Sequence, residues 1–133
     1  MQMTTTPNSA LVTDSVTMLG ADARGRAAIA ASHGGIYAAY VAAKAGLKAV
    51  VLSDAGVGRE RAGISGLAYL ATMGVPAAAI GHRSARIGDG LSIFQDGIVT
   101  AVNETAARHG GEIGIPAAEL VARLVAARRK ESP

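Results

Sequence analysis

Two joins in this chain repeat each other. Ala45-Gly46-Leu47-Lys48-Ala49 and Met73-Gly74-Val75-Pro76-Ala77 place a glycine 28 positions apart, at 46 and 74, each between a helix-like run and an apolar strand-like run. One helix plus one strand fills such a spacing, and short glycine stops between them are the pattern of a parallel α/β sheet. Crossovers of this type are almost always right-handed, so the loops that follow the strands share one edge of the sheet.

The segments on either side fit that rhythm. Arg26-Ala27-Ala28-Ile29-Ala30-Ala31 is a short apolar run after its arginine, too brief for a helix, as a strand buried on both faces reads. A helix is expected from Ile36 to Ala45, stopped by Gly46, and a second from Ala62 to Met73, stopped by Gly74. Leu47 to Leu52 and Val75 to Ile80 read as strands, with Pro76 tolerable only at the start, where no ladder donor is needed. Asp14 to Leu19 alternates weakly and suggests an edge strand. Gly97 to Val102 suggests a further strand, and Asn103 caps a short helix through Arg108 that ends at His109-Gly110-Gly111. Ile115-Pro116 opens a last helix with Leu120, Val121, Leu124 and Val125 as its apolar stripe. The expected architecture is a three-layer α/β sandwich with a mainly parallel, Rossmann-like sheet of four to five strands. Residues 1–12 are expected as a flexible lead and 13–133 as a single domain, which suits 133 residues.

Half the residues are apolar, but the aromatics are only one Phe and three Tyr, with no Trp. Small side chains bury little area each, so further burial between subunits of a homo-oligomer is expected, a monomer in sedimentation being the contrary result. Tyr37, Tyr40 and Tyr69 read as packing or subunit-contact residues. The net charge of +3 and a pI near 9.7 invite a nucleic-acid reading. The charges are spread along the chain, however, and there is little aromatic surface for base stacking. The densest basic run, Arg128-Arg129-Lys130, reads as a solvated helix end. With no cysteine, disulfides and thiolate metal sites are excluded. No signal-like leader or membrane-length apolar run is present, and a cytoplasmic location is expected.

Ligands of open parallel sheets bind beyond the carboxyl ends of the strands. Three polar loops fall there: Ser32-His33-Gly34-Gly35, Ser53-Asp54 with Gly56 and Gly58, and His82-Arg83-Ser84-Ala85-Arg86-Ile87-Gly88-Asp89-Gly90. Gly34 and Gly35 would free backbone N–H groups at a helix start for an oxyanion. Asp54 either reaches into the cleft or caps its own turn through Gly56. Arg83 and Arg86 offer planar forks for a carboxylate or phosphate, with Ser84 beside them and Asp89 placed to hold one fork.

Ala30-Ala31-Ser32-His33-Gly34 resembles the G-x-S-x-G nucleophile elbow of α/β-hydrolases, with Ala30 replacing the first glycine. That resemblance implies Ser32 as nucleophile, His82 or His33 as base and Asp54 as orienter. The same stretch resembles the Asn-Gly-His-Gly-Gly-Asn segment of creatininase-like metal amidohydrolases, where it implies a metal role for His33. Ala31, Ser32 and Ile36 depart from that segment, and no His-x-x-x-Asp or Glu-x-His grouping precedes it, so no metal or other cofactor is expected. The expected function is an enzyme, of hydrolase type, acting on a small anionic or amide-bearing metabolite. The expected catalytic residues are Ser32, His33, Asp54 and His82. Those expected to bind ligand are Gly34, Gly35, Gly56, Gly58, Arg83, Ser84, Arg86 and Asp89. The rival expectation is a non-catalytic ligand-binding or structural subunit of a homo-oligomer.

Overall fold

A computed structural model describes residues 3–7, 9–54, 65–86 and 88–127. The order of elements is β1 (Met3–Thr5), β2 (Leu11–Thr13), β3 (Ala27–His33), α1 (Ile36–Lys44), β4 (Ala49–Ser53), α2 (Ser65–Thr72), β5 (Ala77–Ile80), α3 (Gly90–Asp96), β6 (Val99–Val102), α4 (Glu104–Arg108) and α5 (Ala117–Ala126). The strands form one sheet in the order of the sequence, β1-β2-β3-β4-β5-β6. Strands β2 to β5 are parallel, and β1 and β6 run antiparallel at the two edges.

Six strands replace the expected four to five. The additions are only three residues each. Met3-Thr4-Thr5, in the stretch expected as a lead, pairs with Leu11-Val12-Thr13. The turn between them is tied by Thr6, whose N–H donates to the Ala10 carbonyl at 2.8 Å and whose hydroxyl accepts from Ala10 N at 3.0 Å. The edge strand expected over Asp14–Leu19 is instead a 3-10 turn at Val16–Met18. Ser15 explains the difference, because its hydroxyl accepts from Thr17 N at 3.2 Å. Local side-chain-to-backbone bonds of this kind compete with a strand ladder. The stretch around Leu91, Ser92 and Ile93 forms α3, a helix that no pattern in the sequence marks.

The repeated joins act as read. Gly46 and Gly74 adopt φ of 74° and 71°, the left-handed conformation that stops a helix at little cost only for glycine. Pro76 directly precedes β5, and its carbonyl accepts from Val50 N at 3.0 Å.

Alternate strand residues feed two apolar clusters, as the two-residue period of a strand requires. Val12, Ile29, Val51, Ile80 and Val99 pack with Ile93 of α3, Ala106 of α4 and Leu120, Val121 and Leu124 of α5. Leu11, Ala28, Val50, Leu52 and Ala79 pack with Ala38, Ala39 and Ala42 of α1 and Leu67 and Leu70 of α2. α1 and α2 touch closely. A Cβ at Gly66 would overlap the Gly35 carbonyl, so only glycine fits at that crossing. Among the described residues, no helix is long and apolar enough to cross a membrane.

Asn103, the predicted cap, is a buried junction. Its Oδ1 accepts from Ala106 N at 2.8 Å, capping α4, and from Ala77 N at 3.1 Å, at the start of β5. Its Nδ2 donates to the Leu67 and Val75 carbonyls, both at 3.0 Å. One amide thus joins α4, the first turn of α2 and the approach to β5 with all four of its hydrogen-bonding positions used.

Candidate active site at the carboxyl edge of the sheet

Because β2 to β5 are parallel, Asp14, Ser32 to Gly35, Asp54 and Gly81 to Ser84 all emerge at one edge. Antiparallel β6 begins at that same edge, which brings Thr100 to it. The strand order does not reverse. Even so, the chain after β4 leads to α2 on one face and the chain after β5 to α3 on the other, so the connections diverge to opposite faces beside Asp54 and His82.

Asp54 is the centre of the polar contacts. It follows β4 directly, its N–H donates to the Ile80 carbonyl at 2.9 Å, and it is only 4% exposed. Its Oδ1 accepts from the backbone N of His82 at 3.0 Å and lies 3.0 Å from Nδ1 of the same residue. Its Oδ2 accepts from the Thr100 hydroxyl at 2.9 Å. An ionised carboxylate can only accept, so Nδ1 of His82 carries the proton. In the neutral ring this arrangement leaves the lone pair on Nε2. The His82 side chain is 38% exposed, so the ring is open to solvent while its carboxylate partner is not. Thr100 was not anticipated. A threonine alternating with Val99 and Ala101 looks like an ordinary strand residue, and only the antiparallel return of β6 carries it to Asp54.

Ser32 is engaged elsewhere. Its Oγ accepts from Val16 N at 2.8 Å and lies 3.5 Å from Ser15 Oγ, tying β3 to the 3-10 turn. Its contacts among the described residues include neither His33 nor His82. His33 is exposed at the end of β3, in register with Ser53. Gly34 extends the β3–β4 ladder: its N–H donates to the Ser53 carbonyl at 2.8 Å, and its own carbonyl accepts from Gly66 N at 2.8 Å. Gly35 is the N-cap of α1 and brings no side chain to cap it. Gly56 and Gly58 lie outside the described residues, as do Ile87 and the run Arg128-Arg129-Lys130.

The third loop is braced by its own side chains. Ser84 Oγ donates to the Gly81 carbonyl at 2.8 Å and accepts from Ile98 N at 2.9 Å, pinning the loop to the approach of β6. Asp89 caps α3 by accepting from Ser92 N at 2.9 Å, and Arg86 donates to it through Nε at 3.1 Å. The Ser92 amide, aided by the Arg86 guanidinium, holds the Asp89 carboxyl below its ordinary pKa. Asp14 Oδ1 accepts from Gly90 N at 2.9 Å, which fastens the start of α3 to the end of β2. Arg83 is exposed and makes no ion pair among the described residues.

The structure thus joins Asp54 to His82, and Arg86 to Asp89, and gives Ser32 and Ser84 backbone partners. No group of three His, Asp or Glu residues among those described is arranged to hold a metal ion. Comparison with protein-family models, with curated proteins and with solved structures returned no match to this chain.

Proposed function

We propose that the carboxyl edge is the active site of a small-molecule hydrolase in which His82, oriented by Asp54, is the general base. The observation that carries this reading is the bond between a buried carboxylate and a partly exposed imidazole through Nδ1. A base must be both aimed and reachable, and this pair meets the two conditions with separate residues.

In this scheme Nε2 of His82 takes a proton from water as the water oxygen bonds to the substrate carbonyl carbon. Asp54 stabilises the imidazolium that results. The proton then passes to the leaving amine or alcohol as its bond to carbon breaks, which yields a carboxylic acid and the neutral leaving group. Water replaces Ser32 as the nucleophile because the Ser32 hydroxyl is bound to Val16 N and faces Ser15. Arg83, and the start of α1 behind Gly35, suit an anionic or amide-bearing substrate by charge and dipole. The two apolar clusters on alternate strand residues support the three-layer arrangement that would fix these loops.

A second reading, a non-catalytic subunit of a homo-oligomer, is favoured by one observation. Ile36, Tyr37 and Tyr40 of α1 are all exposed, the last two despite their size.

The test is hydrolysis of a panel of small esters, amides and lactams by the wild type, His82→Gln and Asp54→Asn. Removing a general base lowers turnover by about 10²–10⁴-fold. A substrate whose turnover falls that far in His82→Gln, with the melting temperature within a few degrees, supports the assignment. Turnover that is the same in wild type and His82→Gln across the panel refutes it and favours the subunit reading.

A further inference from the structure

We propose that Thr100 is a positioning residue for the candidate base. Through its hydroxyl it holds Asp54 in the charge state and orientation that keep the proton of the neutral His82 ring on Nδ1. Its effect on turnover rests on the reading of His82 as general base, whereas its effect on the ring can be read without any substrate.

A carboxylate that is only 4% exposed keeps its charge where donors replace the water it has lost. Two of those donors belong to His82 and meet Oδ1, the backbone N–H at 3.0 Å and Nδ1 at 3.0 Å. The Thr100 hydroxyl meets the other oxygen, Oδ2, at 2.9 Å. Donors on both oxygens fix how the carboxyl plane is turned as well as favouring its charge. The turn matters because Oδ1 has to meet the ring and the amide of one residue together.

The charge of Asp54 decides the tautomer. An ionised carboxylate only accepts, so Nδ1 must donate to it. A carboxyl that has gained a proton can donate to Nδ1 instead. The ring proton then sits on Nε2 and removes the lone pair that would take a proton from water. Withdrawing a donor from a buried carboxylate favours its protonated form. The Thr100 hydroxyl therefore acts on Nε2 through Asp54, without touching the ring.

The placement of Thr100 is itself built. Its hydroxyl also lies 3.4 Å from the Ala79 carbonyl, but it has one hydrogen, and the shorter contact to a charged oxygen takes it. Its methyl closes on Gly81, where a Cβ would come within 2.8 Å of Thr100 Cγ2. Gly81 N donates to the Ile98 carbonyl at 3.0 Å, and Ser84 Oγ joins the Gly81 carbonyl to Ile98 N. The approach to β6 is thus fastened to the loop that carries His82, while Thr100, two residues on, is fastened to Asp54. Thr100 is exposed, so its hydroxyl can be removed without opening the core.

The test uses the full chain labelled with nitrogen-15, with long-range proton–nitrogen spectra of the His82 ring recorded at a pH where the ring is neutral. Wild type and Thr100→Ser should show the proton on Nδ1. Thr100→Val and Thr100→Ala should raise the Nε2–H share about fivefold or more. On any substrate that the wild type hydrolyses, Thr100→Val should lower kcat about three- to tenfold with KM within about twofold, and Thr100→Ser should restore it. A wild-type ring protonated on Nε2, an unchanged tautomer in Thr100→Val, or a Thr100→Ser spectrum that matches the valine variant each overturns the positioning role. The expected change of tautomer with kcat unchanged overturns its link to turnover. The same change in a protein that hydrolyses nothing in the panel upholds the positioning role and counts against the hydrolase reading alone.

Discussion

Replacing Asn103 with alanine severs four hydrogen bonds at once, to Ala77 N, Ala106 N, Leu67 O and Val75 O. Loss of the α4 cap alone costs about 1 kcal/mol. Ala77 N at the start of β5 and the Val75 carbonyl just before it are each left unpaired at about 1 kcal/mol or more, while the Leu67 carbonyl, inside α2, loses only a second partner. The total comes to about 2–4 kcal/mol, allowing for partial relaxation. Urea unfolding followed by circular dichroism reads this as a fall in midpoint with an unchanged slope. Asn103→Asp sharpens the test, because a carboxylate can keep the two N–H donors but faces the Leu67 and Val75 carbonyls with an acceptor. Its folded-state pKa is therefore raised. The variant is most stable below the unfolded carboxyl pKa of about 3.9 and loses stability as pH rises through the folded value. At neutral pH it should be no more stable than Asn103→Ala, and relative to that variant it should recover on acidification. An alanine cost below about 1.5 kcal/mol would refute the four-way junction, since it would mean that the backbone groups find partners without it.

Three further substitutions test other contacts. Ser32→Ala should cost about 1 kcal/mol by orphaning Val16 N, and it should leave any His82-dependent turnover within a few fold; loss of that turnover at full stability would restore Ser32 as the nucleophile. Gly66→Ala should destabilise by about 1–3 kcal/mol, since its Cβ has no room against the Gly34 and Gly35 carbonyls, and an unchanged urea midpoint would deny that contact. Asp89, its pKa lowered chiefly by the Ser92 amide, contributes stability above its unfolded pKa that is lost as pH falls through the folded value. Asp89→Asn keeps the cap, so urea midpoints of wild type and variant should differ at neutral pH and converge on acidification.

The parts of the fold legible in the sequence are those where one residue type has one physical job. Gly46 and Gly74 mark helix stops, and the apolar runs ending at Ala31, Leu52 and Ile80 can only be buried strands. Asn103 is legible as a cap, but its bonds to β5 and α2 depend on packing that no local pattern records. β1 is hidden because threonines serve a short edge strand and a polar lead equally well, and β2 because Leu11-Val12-Thr13 is too short a run to read as a strand on its own. Helix α3 begins at a charged loop whose Asp89 reads as an ion-pair partner for Arg86 before it reads as a cap. It is both. At the candidate site, Asp54 and His82 are recognisable separately. Their contact spans 28 positions and exists because β4 and β5 are neighbours in register. Thr100 and the tether of Ser32 to Val16 need the same knowledge of neighbours, which spacing along the chain does not contain.

The reading-order sheet also bears on how the chain matures as it is made. Each parallel strand can dock beside the one before it as soon as it leaves the ribosome, and α1 and α2 arrive in time to cover their own face. The other face has no such attendant. Val12, Ile29, Val51 and Ile80 wait for α3, α4 and α5, all of which lie beyond residue 89. A growing chain that has finished β5 therefore carries a half-dressed sheet, the kind of surface that draws chaperones and promotes aggregation. The last third of the sequence is what closes that window.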